Sequence, residues 1–240
     1  MGNKEYIDWY KGKDEIIKAW FQIRDKAGNP VDVDGVVSPL KVDNRQLASP
    51  ADQQGDTPHC AAYSVCGLIE AVNWKRTGRL VNLNADQVYA HAKMADGSPD
   101  EEGTYLEHAI RAALRLGGTA NPERIKIGFL RSGGGDRTVE ALKHLVHKYD
   151  FVHAGFCITT GWYSCSMADP VIKKTSVSLG GHAVLIVGYD RRGVYIQNSW
   201  GKEWAAKGFG VLPWDLFREE FMYGCYLQNC YDGLNEEAKA

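Results

Sequence analysis

The stretch LGGHAVLIVGYDRRGVYIQNSWG, residues 179–201, predicts two antiparallel strands joined by a turn. Apolar runs flank the polar residues Asp190–Gly193, which is typical of a hairpin between buried strands. His182 opens the first run and Asn198 closes the second, so antiparallel pairing brings both to the same open end. Counted from a symmetric turn, they are about three residues out of register, roughly 10 Å at the rise of a strand. The turn is therefore asymmetric, or one strand bulges or leaves the sheet before Asn198.

A histidine at such a strand end can act as a general base when its ring is held in one tautomer. The side-chain oxygen of Asn198 is suited to accept the ring N–H of His182 and so to hold it. Trp200 follows closely and is placed to cover this hydrogen bond and exclude water. Each of these residues, taken alone, also fits an ordinary hydrogen-bonded polar group at a sheet edge. The catalytic interpretation therefore requires a nucleophile elsewhere in the chain.

Cys60 follows the loop QQGDTPH and begins a segment of helical spacing that runs to Arg76 and ends at Gly78. The N-terminus of a helix carries a partial positive charge, which favours a thiolate over a thiol. Because the thiolate is the nucleophilic form, Cys60 is a candidate nucleophile, although this stretch alone fits a cysteine packed under a loop equally well. Cys66 lies on another face of the same helix and is predicted to be a core residue.

Composition and charge argue against several classes of function. The 240 residues are 44% hydrophobic, with a formal net charge of −2 and charges of both signs mixed along the chain, so neither a nucleic-acid nor a membrane partner is expected. No apolar run approaches the roughly 20 residues that span a bilayer. The polar N-terminus does not resemble a signal peptide, so we expect a cytoplasmic chain, a leader already removed, or export by a signal-independent route. The cysteines form no CxxC pair, and no metal or cofactor is expected.

Helical patterns dominate the first part of the chain and short apolar strands the second. Helical spacing recurs in three segments, 60–76, 105–118 and 138–149. Strands follow from Phe151 onward, and this segregation predicts an α+β fold with a cleft where the halves meet. The expected organisation is an N-terminal extension at 1–41 and a domain at 42–235, helical over about 42–125 and rich in antiparallel β-structure over about 126–235.

Taken in order, these residues resemble the papain-like cysteine peptidases. Residues 180–213, with the NSWG run, are similar to the family's histidine and asparagine region. In DQQGDTPHCAAYS, Gln54 stands six residues before Cys60, where the family places its oxyanion-hole glutamine. The resemblance spans about residues 42–230, and it implies a papain-like fold with the active-site cleft between the helical and β-rich halves.

The resemblance implies acyl transfer through a thioester. Cys60 is expected to attack a peptide carbonyl as the thiolate, while the Gln54 side chain and the Cys60 backbone N–H stabilise the oxyanion. His182 is expected to protonate the leaving amine and Asn198 to orient His182. Water then hydrolyses the thioester, which makes the chain a cysteine peptidase.

Substrate contacts are also implied by the resemblance, and the expected partner is a peptide or protein. Of the family's Gly-Gly pair only Gly103 is present; Tyr105 and Ala183 are expected to line the pocket for the second side chain before the cut. Tyr105 fits ordinary packing equally well, and Trp200 is counted among the substrate contacts. No inserted loop with paired histidines is evident, so an endopeptidase is expected.

The chain departs from the family pattern beside the nucleophile. Thr57 replaces a cysteine that normally forms a disulfide, and Ala61 replaces the large aromatic residue after the nucleophile. These departures favour a divergent member of bacterial or viral type.

The N-terminal extension is predicted to inhibit the enzyme in cis. Family peptidases are commonly made as zymogens, with an N-terminal segment that blocks the cleft until it is removed. Within residues 1–41, an amphipathic helical pattern at 14–24 has an apolar face that needs a surface to cover it. The cleft rim is one such surface, and the back of the domain is the other.

Three other classes of function stay open. An acyltransferase or transglutaminase-like enzyme would use the same residues with an amine acceptor, and product analysis separates it from a hydrolase. A catalytically silent binding module would keep the fold and lack a key residue. A zinc protein would need ligand pairs that the sequence does not offer, and a metal assay tests for it.

Overall fold

The computed structural model describes residues 38–78, 80–117, 125–133 and 135–228, so the predicted helix at 14–24 and Cys230 lie outside the described residues. The helices are α1 (Cys60–Thr77), α2 (Ala85–Asp96), α3 (Leu106–Leu116), α4 (Gly135–Tyr149) and α5 (Trp214–Glu220), with short 3₁₀ turns at Arg45–Leu47 and Thr160–Ser164. The strands are β1 (Val42–Asp43), β2 (Ile127–Arg131), β3 (Val152–Thr159), β4 (Ser178–Tyr189), β5 (Gly193–Gln197), β6 (Phe209–Pro213) and β7 (Phe221–Leu227). The predicted α+β class is confirmed.

The strands form one antiparallel sheet in the order β2-β7-β3-β4-β5-β6, with β1 paired to β4. Side chains alternate between two buried clusters along β4: Leu185 packs with residues of α1, α2 and α3, and Val184 packs with residues of α4 and α5. Because both faces of β4 are covered, its sequence is a nearly continuous apolar run rather than an alternating one.

The hairpin closes at Asp190–Gly193, where the Asp190 N–H donates to the Gly193 carbonyl at 3.0 Å. A bulge in β4 just after Ile186 removes one residue of the offset between the two strands. Strand β5 ends before Asn198, whose N–H donates at 2.9 Å to the Gly208 carbonyl. The bulge and the departure of Asn198 from the sheet together explain how it can reach His182.

Helix α1 is buried along most of its length and runs between the two parts of the fold. Its side chains are apolar on nearly all sides, which suits a helix surrounded by other elements. Gly78 ends the helix in the left-handed region, at φ 63°, and its N–H donates to the Trp74 carbonyl at 2.9 Å. Cys66 is completely buried in the cluster with α2 and α3, which confirms the core role predicted for it.

Candidate active site

Cys60 is the first residue of α1 and is half-buried. The backbone N–H groups of Ala183, Ala61 and Cys60 itself lie within hydrogen-bonding reach of the sulfur. Burial raises the pKa of the Cys60 thiol, and these N–H groups act in the opposite direction. Since Ala183 follows His182 directly, the thiol lies beside β4 at the open end of the β4–β5 hairpin, just beyond the Leu185–Gln197 pair.

His182 is joined to Asn198 by a hydrogen bond of 2.8 Å between the histidine Nε2 and the amide Oδ1. The Ser199 N–H donates to the same Oδ1 at 2.8 Å, so the orientation of the Asn198 amide is fixed by two donors. Both side chains are buried, and burial lowers the pKa of His182 to about 4, against the Asn198 hydrogen bond, which raises it. This arrangement leaves Nδ1 of His182 available to another partner.

Aromatic rings enclose the histidine on two sides. Trp200 stacks on the imidazole with centroids 5.0 Å apart and an interplanar angle of 29°. Trp162 meets the same ring edge-on, at 5.9 Å and 89°. Tyr163 stacks in turn on Trp200 at 5.0 Å and is 64% exposed. The hydrogen bond of His182 is thus shielded by indole rings.

Gln54 lies beside the asparagine through contacts with Ser199. The Gln54 N–H donates to the Ser199 carbonyl at 2.8 Å, and the Ser199 hydroxyl donates to Oε1 of Gln54 at 2.5 Å. One Gln54 amide hydrogen is used in a 2.8 Å bond from Nε2 to the Thr57 carbonyl, and the other is available to a ligand. Sequence reasoning assigned no role to Ser199, although its place between Asn198 and Trp200 was a usable signal.

A family model described as papain family cysteine protease matches residues 130–215, which contain both His182 and Asn198. This match supports the predicted resemblance to the papain-like cysteine peptidases. Testin-2 of Rattus norvegicus is 26% identical over 210 residues, which cover 74% of this chain and 61% of that protein. Cathepsin R of Mus musculus is 25% identical over 217 residues, which cover 75% of this chain and 62% of that protein.

Solved structures confirm the papain-like fold. Xylellain, a cysteine protease from Xylella fastidiosa, matches with a TM-score of 0.66 at 18% identity, over 88% of this chain and 92% of that chain. The proform of Amb a 11, a ragweed pollen cysteine protease, matches with a TM-score of 0.60 at 22% identity, over 80% and 66%. The chain spans about three fifths of the length of the testin and cathepsin relatives that it matches. The bacterial or viral type stays a prediction.

The position before Cys60 holds a contact that sequence reasoning missed. His59 stacks on Tyr89 of α2 with ring centroids 3.8 Å apart, and its Nδ1 lies 2.8 Å from Oδ1 of Asp86. The start of α1 is therefore tied to the first turns of α2. Ala61, where the papain family has a large aromatic residue, is buried.

The predicted substrate contacts lie in two places. Gly103 stands in the loop before α3 with φ at +79°, and the space where a Cβ would be is open. Tyr105 directly precedes α3, is half-buried, and its ring lies 5.9 Å from that of His108. Ala183 is buried between the sheet and α1, and Trp200 covers His182.

Two further findings concern the described residues alone. They contain no group of three or more His, Cys, Asp or Glu side chains placed to hold a metal ion. None of their helices is both long enough and apolar enough to cross a membrane.

Proposed function

We propose that this chain is a cysteine peptidase that hydrolyses peptide bonds through a thioester on Cys60. The observation that carries the proposal is the hydrogen bond from Nε2 of His182 to Asn198. It holds the ring in the tautomer whose Nδ1 is free to exchange a proton with the thiol, and the thiol lies at Ala183, one residue along β4. A nucleophile, a base and a group that orients the base are the parts that acyl transfer requires.

The reactive ion pair depends on both partners. Burial alone keeps Cys60 as a thiol, since it raises the pKa of that group, and keeps His182 neutral, since it lowers the pKa of the ring to about 4. A thiolate and an imidazolium side by side stabilise each other, so transfer of the proton from sulfur to Nδ1 produces the nucleophile.

The reaction then follows two steps. The Cys60 sulfur attacks the carbonyl carbon, and the oxyanion accepts hydrogen bonds from the Cys60 N–H and the remaining Gln54 amide hydrogen. The C–N bond breaks as His182 gives its proton to the leaving amine. Water, deprotonated by His182, hydrolyses the thioester and restores the thiol.

Substrate is proposed to lie along Gly103, Tyr105, Ala183 and Trp200. The open space and left-handed backbone at Gly103 support close approach of a peptide main chain. Internal cleavage is proposed because the sequence shows no inserted histidine loop to block one end of the cleft.

Transfer of the acyl group to an amine is the alternative, as is a silent binding module. Family membership does not decide between them, because the relatives include proteins named testin as well as cathepsins. Mass spectrometry of the products distinguishes hydrolysis, which adds water, from transfer, which adds the amine.

Residues 1–41 are proposed to act as an inhibitory pro-segment. Two structural neighbours support this, the proform of Amb a 11 and procathepsin L 3 of Tenebrio molitor. The described end of the extension is anchored far from the site: Val42 pairs with Tyr189, whose hydroxyl donates to the Pro39 carbonyl at 3.0 Å. Tyr189 and His182 are seven residues apart on β4, which is roughly 23 Å at the rise of a strand. A segment as long as residues 1–41 is long enough to cover that distance.

A chain that begins at Lys41 tests the pro-segment. Faster labelling of Cys60 by a thiol-reactive epoxide, with unchanged thermal unfolding, supports inhibition in cis. Equal labelling in the full and shortened chains contradicts it.

The main test compares Cys60→Ala with Cys66→Ala on a peptide substrate. Cys60→Ala is expected to abolish hydrolysis with little change in the thermal unfolding temperature, since the thiol stands at a helix end. Cys66→Ala is expected to retain hydrolysis and to unfold at a lower temperature, because a buried side chain is shortened. Activity that survives Cys60→Ala and vanishes in Cys66→Ala would overturn the assignment.

A further inference from the structure

Glu220 is a carboxylate with 5% exposure at the end of α5. Burial raises its pKa, and the hydrogen bonds that it accepts act in the opposite direction. Both oxygens are used: Oε2 accepts the indole N–H of Trp162 at 2.8 Å, and Oε1 accepts the Thr159 hydroxyl at 3.2 Å. Burying a carboxylate is costly unless it is paired in this way, so these two contacts define its place.

Trp162 connects this carboxylate to the candidate active site. Its ring is fully buried and meets His182 edge-on at 5.9 Å. It also lies against Trp200 and Trp204, each with a centroid distance of 6.5 Å, and its carbonyl accepts the indole N–H of Trp204 at 2.9 Å. Trp162 therefore supports both the imidazole and the indole that covers it.

The single N–H of an indole has a fixed direction in the ring plane, so its acceptor determines how the ring is turned. Glu220 supplies that acceptor for Trp162, whose ring also meets His182. We propose that Glu220 is a positioning residue for His182, acting through the Trp162 ring. The inference deepens the proposed function and rests on it only for the measurement of turnover.

A role in stability alone makes different predictions from a positioning role. An anchor that merely holds α5 to the sheet would change the unfolding temperature and leave the reactivity of Cys60 unchanged. A positioning residue changes the alignment of the imidazole, and so changes kcat and the pH dependence of the thiol while KM stays nearly constant.

The test uses Glu220→Leu, Glu220→Gln and the exposed neighbour variant Glu219→Leu. Displacing a catalytic group by 1 Å costs on the order of 100-fold, so a turned ring in Glu220→Leu is expected to lower kcat about tenfold. Glu220→Gln keeps an acceptor oxygen for the indole and is expected to stay within about twofold of the unsubstituted chain. Glu219 contacts Lys174 at the surface. Glu219→Leu is therefore the matched control, expected to change neither kcat nor the pH dependence of Cys60 reactivity.

Alkylation of Cys60 by iodoacetamide from pH 4 to pH 9 supplies a second readout that needs no turnover. The low-pH limb of the alkylation rate is expected to move to higher pH in Glu220→Leu and to return to its original position in Glu220→Gln.

The double variant Trp162→Phe with Glu220→Leu supplies a third readout. It should lower kcat no further than the larger of the two single substitutions, because both remove the same contact, the hydrogen bond from Trp162 to Glu220. Unchanged alkylation in folded Glu220→Leu, or single effects that multiply in the double variant, would overturn the proposal. If the unsubstituted chain hydrolyses no peptide but the alkylation of Cys60 in Glu220→Leu shifts to higher pH relative to that chain, the proposed function fails and the positioning role is supported.

Discussion

Two nucleophile-type side chains of helix α1, Cys60 and Ser64, are four residues apart and hence on the same face. Each lies near a buried histidine of the central sheet. Cys60 lies at Ala183 of β4, next to His182 in the chain, and the Ser64 hydroxyl lies 2.9 Å from Nδ1 of His153 on β3. In both places one ring nitrogen is held by a neutral polar side chain.

The Cys60–His182 and Ser64–His153 pairs differ in solvent exposure and in the groups that surround the Cys60 thiol or the Ser64 hydroxyl. Ser64 and His153 are enclosed between α1 and the sheet; His153 is completely buried, and burial lowers its pKa to about 3. Cys60 is half-buried at a helix terminus, and Gln54, six residues earlier in the chain, is held by Ser199. A hydrogen-bonded histidine is therefore not itself an active site; the proposed site differs by its accessible thiol and by the proposed oxyanion donor Gln54.

The largest effect after loss of the nucleophile is expected from Gln54→Ala. The variant removes a hydrogen bond to the oxyanion, so kcat should fall on the order of 100–1000-fold. Gln53→Ala is the matched control, because Gln53 is the exposed neighbour; its Nε2 donates to the Trp200 carbonyl at 3.3 Å and its Oε1 accepts the Gly55 N–H at 3.2 Å. Equal kcat in the two variants, measured on one peptide substrate, would remove Gln54 from the oxyanion site.

Asn198→Ala should have a smaller effect than removal of the histidine. The imidazole stays in place under Trp200 and loses only the bond that orients Nε2, so kcat should fall about 10–100-fold. His182→Ala should lose more, since no base remains. A loss in Asn198→Ala that matches His182→Ala would mean that the amide does more than orient the ring.

Ser64→Ala should separate the two places on α1. It leaves a nitrogen of His153 without its hydrogen-bond partner in a buried site, so the free energy of unfolding should fall by about 1–3 kcal/mol. Hydrolysis by the folded protein should stay within about twofold, since Ser64 is outside the reacting groups. Urea unfolding and kcat measured on the same sample check both statements, and abolished hydrolysis in the folded variant would contradict them.

The pH dependence of stability should reveal His153. Its folded pKa is lowered to about 3, below the unfolded value of about 6.5, so the folded state binds fewer protons between these values. The free energy of unfolding therefore falls as pH drops from about 6.5 toward 3. His153→Leu should make this fall shallower by up to about 1.4 kcal/mol per pH unit, measured by urea unfolding from pH 4 to pH 7. Parallel slopes in the two proteins would contradict a neutral His153.

Elements with strong periodicity or clear end signals were predictable from the sequence. The bounds of α1 follow from the loop before Cys60 and from Gly78, and the hairpin follows from its apolar runs. Helix α2 was not predicted, because only Ala85, Val88 and Ala92 of its residues are buried and its pattern is weak. Helix α5 was not predicted because its 7 residues are too few to show a helical period.

The site was predictable where its residues form a local motif and not where they meet across the fold. Asn198 and Trp200 stand together in one run, but Ser199 reaches Gln54 across 145 residues. The contact of His59 with Asp86 and that of Trp162 with Glu220 likewise join separate elements. Such contacts depend on helix packing and strand register, which single-sequence patterns do not contain.

The central claim is that Cys60 draws its reactivity from His182, and the rate of alkylation against pH tests it most directly. Iodoacetamide is applied from pH 4 to pH 10 to the unsubstituted chain, His182→Ala and the control His153→Leu, and the modified cysteine is mapped by mass spectrometry. Cys60 should react at neutral pH in the unsubstituted chain and in His153→Leu. In His182→Ala its reaction should be confined to higher pH, because burial raises the pKa of the lone thiol. Identical profiles in the unsubstituted chain and His182→Ala, or modification of another cysteine in place of Cys60, would contradict the claim.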